Sequence, residues 1–339
     1  MIMIGVDPHK GSHTAVALDL DERVLDEVQV RADRRQTERL LAWAAPFQPR
    51  TWAIEGAGGL GYLLAQQLVA AGERVVDVPA TLSARVRLLG CGKAAKNDPN
   101  DARSTALAGL RHPRLHLVER EDHRAVLRLL VDRHHDLTAL RTQAVCRLHA
   151  LLCVLAPGGL GRRLSATKAS ALLGTIRPRT QVEVERTRLA SELLADVGRL
   201  DEQILACKGR IKVAVAASGT SVTQVYGVGP IVAALLIGHS GDIGRFRSKG
   251  HYASYNATAP IEASSGPRVR HRLNLHGNRQ LNHALHMAAV TQVRNDTPGR
   301  AFYQRKLAEG KSSKEALRAL KRRISDAVYR QLVLDAHNH

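Results

Sequence analysis

Short apolar runs of strand length, separated by polar turns, dominate the first 80 residues. Residues 2–7 (IMIGVD) predict a buried strand, 13–20 (HTAVALDL) a second, and 24–30 (VLDEVQV) a third with in–out alternation. A helix is predicted near 34–45, a strand at 50–55 (RTWAIE), a helix at about 60–71 and a strand at 74–78 (RVVDV). Residues 90–99 are polar and carry Gly, Lys, Asn and Pro, which predicts a loop. Helical spacing resumes over 100–110. Three adjacent strands followed by alternating helices and strands imply an α/β layer fold on a mixed sheet.

The pattern then changes period. Residues 121–155 carry apolar positions at helical spacing: Val126, Leu130, Leu137, Leu140, Leu148, Leu151 and Leu155. A stretch rich in Gly, Pro, Arg and Ser (157–179) interrupts them. A second long helix is predicted over 182–215, with a stripe of Leu189, Leu193, Leu200, Ile204, Cys207 and Ile211. Such a stripe serves an intramolecular hairpin or a dimer arm equally well. From Ser218 the chain is glycine-punctuated and then strongly basic. Its tail, 305–330, mixes Lys and Arg with Leu307, Leu317, Leu320 and Ile324 at helical spacing. The pattern divides the chain into an α/β domain (1–115), a helical coiled-coil region (116–217) and a mainly α C-terminal domain (218–339).

Composition sharpens this picture. Among 339 residues, 44% are hydrophobic but only 3% aromatic, so the core must rest on Leu, Val, Ile and Ala. Fifty Lys and Arg against 31 Asp and Glu leave a formal charge of +19. A surplus of this size, clustered toward the C-terminus, favours a polyanionic partner, and nucleic acid is the usual one. A membrane surface fits less well, because no long basic amphipathic helix with bulky aromatics is visible. Four cysteines (Cys91, Cys146, Cys153, Cys207) form no C-x-x-C pair, which argues against a zinc module or a disulfide framework and fits a reducing cytoplasm. No apolar run reaches the ~18 residues of a membrane span. No signal peptide is expected either, since Asp7 interrupts the short apolar start.

Four acids stand where chemistry would need them. Asp7 closes the first predicted strand and Glu55 the fourth; Asp98 and Asp101 stand three apart at a loop-to-helix boundary in KNDPNDA. Positions three apart share a helix face, and neighbouring strand ends bring their carboxylates together. Four carboxylates round one pocket do not all stay ionised without cations, and Mg²⁺ prefers oxygen ligands. Two such ions about 4 Å apart activate a nucleophile and stabilise a leaving oxygen at phosphorus. Each acid alone is a common strand-end or helix-start residue; the ordered set is that of an RNase H-like, RuvC-like nuclease core.

A competing motif overlaps it. Residues 56–61 (GAGGLG) satisfy G-x-G-x-x-G, with Asp77 at about the spacing of a ribose contact. Dinucleotide binding is disfavoured on three counts. The preceding strand is the fourth rather than the first, Glu55 would face a pyrophosphate, and the α/β pattern ends before a second half forms.

In the last third, VYGVGPIVAAL (225–235) resembles a helix-hairpin-helix turn, which exposes N–H groups suited to phosphate, or else is a tight helix–helix turn. Arg245, Arg247, Lys249, Arg268, Arg270, Arg272 and Arg279 are the candidate nucleic-acid contacts. Ser264, Ser265 and Gly266 sit among them. On physical grounds a serine beside a glycine is first a turn residue; amid arginines that hold a phosphate it is also placed to attack one.

Taken in order, these segments resemble a known family. GVDPHKGSHTAVALD, AIEGAGGLGYLLAQQLVAAGERVVDVP and KNDPNDA are similar to the DEDD domain of the IS110 family of insertion-sequence transposases, which includes the Piv-type DNA invertases. VYGVGPIVAALLI, RFRSKGHYASYNATAPIEASSG and HGNRQLNHALHMAA are similar to its second domain, so the resemblance spans essentially the whole chain. Pro8-His9-Lys10 departs from the small residue more usual after the first Asp, with little expected effect on metal binding.

The resemblance implies a DNA-cutting and rejoining enzyme. Asp7, Glu55, Asp98 and Asp101 would hold Mg²⁺, two ions in all. The serine before Gly, which maps onto Ser265 with Ser264 as the second choice, would be the covalent nucleophile. It further implies double-stranded DNA partners (element ends and target), a structured noncoding RNA that pairs with both, a homodimer or homotetramer, no membrane, and a prokaryotic, nucleoid-associated location. The alternatives are a RuvC-like junction resolvase or nuclease using water, a non-catalytic nucleic-acid-binding protein, and the dinucleotide enzyme.

Overall fold

The computed structural model describes every residue except 92–96, 113, 159–164, 263–270, 273 and 339. It forms two compact units, Met1–Glu121 and Asp122–His339.

The first unit is built on β1 (Ile2–Pro8), β2 (Ser12–Leu18), β3 (Val24–Arg31), α1 (Gln36–Trp43), β4 (Arg50–Glu55), α2 (Tyr62–Ala70), β5 (Val75–Val78), α3 (Ala80–Cys91), α4 (Asp98–Arg111) and β6 (His116–Leu117). The five strands expected from alternation form within a few residues of their predicted bounds. Helix α3 was not expected, and α4 starts two residues early. That start is set by Asn97, whose side chain accepts the Asn100 N–H, with Pro99 in the first turn where no N–H is needed.

The sheet runs β3-β2-β1-β4-β5-β6. β1, β2 and β3 pair antiparallel, while β4 lies parallel to β1 and β5 parallel to β4. This is the RNase H-like arrangement. Period-two alternation sorts its side chains. Ile4, Val6, Trp52 and Ile54 pack with Leu40, Leu64 and Leu68 of α1 and α2. Met3, Val16, Ala53 and Val78 pack on the other face with Ala102, Ala106 and Leu107 of α4. Helix α4 lies almost on the strand itself. A Cβ added at Gly5 would stand 2.1 Å from the Ala102 carbonyl oxygen and 2.4 Å from the Ala106 nitrogen.

The second unit is mainly helical: α5 (His123–Leu155), α6 (Ala166–Thr175), α7 (Gln181–Ala217), α8 (Pro230–Ser240), α9 (Lys249–Tyr255), the short pair β7 (Ile261–Glu262) and β8 (His271–Arg272), then α10 (Arg279–Arg294), α11 (Pro298–Ala308) and α12 (Ser313–Asn338). Helices α5 and α7 form an antiparallel hairpin. Cys207 Sγ lies 3.5 Å from the Leu130 carbonyl and Arg141 pairs with Asp201, while Leu148 and Leu152 share a cluster with Ala190. Leu200, Ile204, Cys207 and Ile211 are therefore buried within the chain. In α5 the buried stripe is Leu127, Leu130, Val131, Leu137, Ala144, Leu148 and Leu152. Val126 and Leu140, expected in it, are 51% and 48% exposed. The stripe turns because α5 packs against α8 as well as α7. At Gly238 of α8 an added Cβ would stand 2.7 Å from the Arg128 backbone nitrogen. Helix α6, also not expected, lies within the Gly/Pro-rich interruption. Among the described residues no helix is long and apolar enough to cross a membrane.

Both tryptophans, Trp43 and Trp52, belong to the first unit, so their fluorescence reports on it alone. Gly5→Ala is expected to destabilise that unit by about 3 kcal/mol, because the clash is with backbone that cannot rotate away. Gly58→Ala, where an added Cβ meets nothing within 4 Å, should shift it by less than about 0.5 kcal/mol. Urea denaturation followed at the tryptophans checks both.

Candidate metal centre and nucleic-acid surface

Asp7 follows Met3 and Gly5 on the α4 face of β1, and Glu55 follows Ala53 on the same face of β4. Val6 is in register with Ile54, so the two acids end adjacent parallel strands side by side. The first turn of α4 brings Asp98 and Asp101 over those ends, and the positive end of the helix dipole comes with it. All four sequence-predicted acids meet at one end of the sheet.

Their electrostatics are unfavourable. Asp7 is 8% exposed, and its Oδ2 is buried without a hydrogen-bond partner. Burial pushes Asp7 up to about 6; His9 opposes the shift, and Glu55, Asp101 and Asp98 add to it. Glu55 is also raised, first by burial and further by Asp101, against hydrogen bonds from Ser83 and Thr105 and the charge of Arg87. The Thr105 hydroxyl lies 2.9 Å from the Asp101 carbonyl and 3.4 Å from Glu55 Oε2. Arg87 of α3 pairs with the Asp101 carboxylate. His9 Nδ1 lies 3.6 Å from Asp7 Oδ2, and Asp7, His9 and Asp98 each present a ligand atom within 4.8 Å of the others. A buried carboxylate oxygen with no donor, among three further carboxylates, fits a divalent cation with a preference for oxygen.

Sequence reasoning missed four neighbours of this cluster: His9, Ser83, Arg87 and Thr105. Thr105 stands one turn beyond Asp101 and was readable from that spacing. Ser83 and Arg87 were not, because α3 was not foreseen.

The glycine-rich turn is accounted for by chain path. Gly56 has φ +59°, and a Cβ at Gly61 would stand 2.6 Å from Ile54 Cγ2. Asp77, at the spacing of a ribose contact, instead accepts the Ala57 N–H at 2.7 Å and holds the turn.

In the second unit, Arg245 stacks on Phe246 and Tyr255, with its guanidinium carbon 4.6 and 4.5 Å from the ring centres. Arg247, Lys249 and Arg279 are exposed. Ser264, Ser265, Arg268 and Arg270 lie outside the described residues, as does the Arg272 side chain. The turn before α8 packs on α10. Gly227, at φ +84°, would place a Cβ 2.7 Å from the Ala288 carbonyl oxygen, and Gln292 donates to the Tyr226 carbonyl at 2.8 Å.

Comparison with known proteins gives a consistent result. A family model described as Transposase (DEDD_Tnp_IS110) matches residues 4–157, and one described as Transposase IS116/IS110/IS902 family matches 219–304. The chain is 28% identical to the uncharacterized 44.8 kDa protein of insertion element IS116 of Streptomyces clavuligerus, over 98% of this chain and 94% of that one. It is 27% identical to the uncharacterized 43.6 kDa protein of insertion element IS110 of Streptomyces coelicolor, over 96% and 92%. Among solved structures, Thermus thermophilus RuvC is similar in its complex with a Holliday junction substrate (20% identity, TM-score 0.29) and by itself (18%, 0.28); each match covers 35% of this chain and 99% and 100% of RuvC.

The raised Asp7 fixes the sign of a pH effect. Its folded-state value of about 6 exceeds the ordinary 3.8, so the folded state holds the proton longer than the unfolded one. Stability is then full below about pH 4 and falls as pH rises through 6, by about 3 kcal/mol for this group. In the presence of a chelator, Asp7→Asn is expected to stabilise the first unit by about 2–3 kcal/mol at pH 7.5 and by nothing measurable at pH 4. Mg²⁺ or Mn²⁺ at pH 7.5 should raise the unfolding midpoint of the wild type and leave that of Asp7→Asn unchanged. Tryptophan-monitored denaturation at the two pH values checks the set.

Proposed function

The chain belongs to the IS110 family of insertion-sequence transposases, and on that premise we propose that it cuts and rejoins the DNA of an insertion sequence and its target by a mechanism with two parts. One part is the quartet Asp7, Glu55, Asp98 and Asp101, holding two Mg²⁺ ions; the other is Ser265. The observation that carries this reading is the convergence of the four carboxylates, with the orphaned oxygen of Asp7 at their centre.

Bound there, the ions would supply charge neutralisation at the scissile phosphate. The chain's own residues do the rest. Arg87 and Thr105 orient Asp101 and Glu55. Ser265 Oγ attacks phosphorus, the bond from phosphorus to one strand breaks, and that strand leaves as a hydroxyl carrying the serine proton. The bond energy is kept in the phosphoserine. The freed hydroxyl of the partner strand then attacks it, and Ser265 leaves and regains a proton, so joining needs no ATP. Arg245, Arg247, Lys249, Arg268, Arg270, Arg272 and Arg279 contact the backbone. Sequence is read by base pairing of a structured RNA from the element, and the protein holds shape and phosphate. Two DNA ends call for at least two protomers, a homodimer or homotetramer. The net charge of +19 and the family support the nucleic-acid partners.

Ser265→Ala is expected to abolish both joining and the covalent protein–DNA adduct, and Asp101→Asn to lower strand cleavage by about 10³-fold or more. Denaturing gels of end-labelled element DNA, incubated with Mg²⁺ and the element's noncoding RNA, check this. Cleavage by Ser265→Ala at the wild-type rate, with no adduct in the wild type, identifies a RuvC-like nuclease that uses water and overturns the serine mechanism.

A further inference from the structure

A cavity of about 880 Å³ opens in the second unit between α10, α12 and the segments 257–260 and 274–277. Its walls come from matched helix faces. Arg279, Asn282 and His286 recur on α10 at spacings of three and four, and on α12 Lys321 and Arg322 stand three and four residues after Arg318.

The charge in this cavity is one-sided. With Lys311, five cations line it against a single carboxylate among the described residues, Glu315. Glu315 is already engaged at the start of α12, where it accepts from the Ser312 N–H at 2.9 Å and the Ser312 hydroxyl at 2.6 Å. Arg322 has its own partner in Asp326 at 3.3 Å. Lys321 does not. It is only 8% exposed, its Nζ donates to the neutral amide oxygen Asn282 Oδ1 at 2.5 Å, and no carboxylate lies within 4 Å of it among the described residues. An ammonium carries three donors, and burying one without an anion is costly. Burial and Arg318 push Lys321 down to about 8, which leaves it mostly charged at neutral pH.

A purely structural role would be to fix Asn282, which donates to the Asn256 and Ala257 carbonyls at 3.0 and 3.2 Å. A neutral donor would do that as well, so the charge itself is unexplained by the packing.

We propose that this cavity is a phosphate-binding pocket, with Lys321 as its buried anchor and Arg279 and Arg318 at its rim, and that the phosphate belongs to a nucleic-acid strand. Only the assignment to a strand rests on the nucleic-acid reading above. It also follows from position, since the walls at 257–260 and 274–277 are the chain neighbours of the segment that bears Ser264 and Ser265.

The test is calorimetric titration of the full chain, in chelator, with inorganic phosphate and with the dinucleotide pdTpdT. The wild type should bind pdTpdT at least about tenfold more tightly than phosphate, and Lys321→Gln should weaken both by at least about tenfold. Arg188→Ala, a solvent-exposed change on α7, should weaken neither. Equal affinity for the two probes would overturn the assignment to a strand and leave a free-phosphate site. Unchanged binding by Lys321→Gln, or an equal loss with Arg188→Ala, would overturn the pocket. Arg318→Gln, at an exposed position, carries the same expectation, with a loss of about threefold or more, should Lys321→Gln fail to fold. Asp7→Asn should bind both probes as the wild type does, which separates this pocket from the quartet.

Discussion

The missing side chain at Gly5 is the constraint on which the first unit depends. With no Cβ there, the backbone of α4 rests on β1 at a distance that no other residue allows. That contact fixes the height of α4 above the sheet, and with it where the first turn of the helix meets the strand ends. Alternation along β1 and β4 then leaves no freedom: if Gly5 and Ala53 face α4, so do Asp7 and Glu55. One close approach thus converts four scattered acids into a cluster.

The cluster is costly, and its surroundings offset only part of the cost. Arg87 neutralises Asp101, the start of α4 brings a partial positive charge, and hydroxyls of Ser83 and Thr105 reach Glu55. Asp7 receives none of these. It sits deepest, and its one basic neighbour, His9, is too far for a good hydrogen bond. Compensation is distributed so that the outer acids are held in place while the inner one is left wanting a cation. An arrangement selected for stability alone would put a donor at Asp7 Oδ2.

Much of this was legible in the sequence, for physical reasons. Strands buried on both faces announce themselves as apolar runs, and a carboxylate at the end of such a run is conspicuous, so Asp7 and Glu55 were found. Asp98 and Asp101 were found because they stand three apart where loop composition gives way to helical spacing; the cap at Asn97, which starts the helix two residues earlier, was not read. Helix α3 was not found, because ATLSARVRLLGC has no clear apolar face, and Ser83 and Arg87 went with it. The stripe on α5 was placed one residue off at Val126 because periodicity gives a repeat but not its phase; the second neighbour, α8, sets the phase. The significance of Lys321 was invisible for a different reason. In the sequence it is one basic residue in a basic tail, and only tertiary packing separates it from the others.

That last point bears on what the surplus of positive charge means. A net charge of +19 predicts attraction to polyanions but says nothing about where. On the surface several cations are spent locally: Arg188 on Glu192, Arg199 on Asp196, Lys306 on Glu309. Such pairs are worth little and bind nothing further. Function has to be sought where the pairing fails in a buried setting, and the two units fail in opposite senses. Asp7 is an acid lacking a cation, whereas Lys321 is a cation lacking an acid. On the readings proposed above, the missing partners are a divalent metal in one case and a phosphate in the other, which are the two ions that a phosphodiester-transfer reaction brings together.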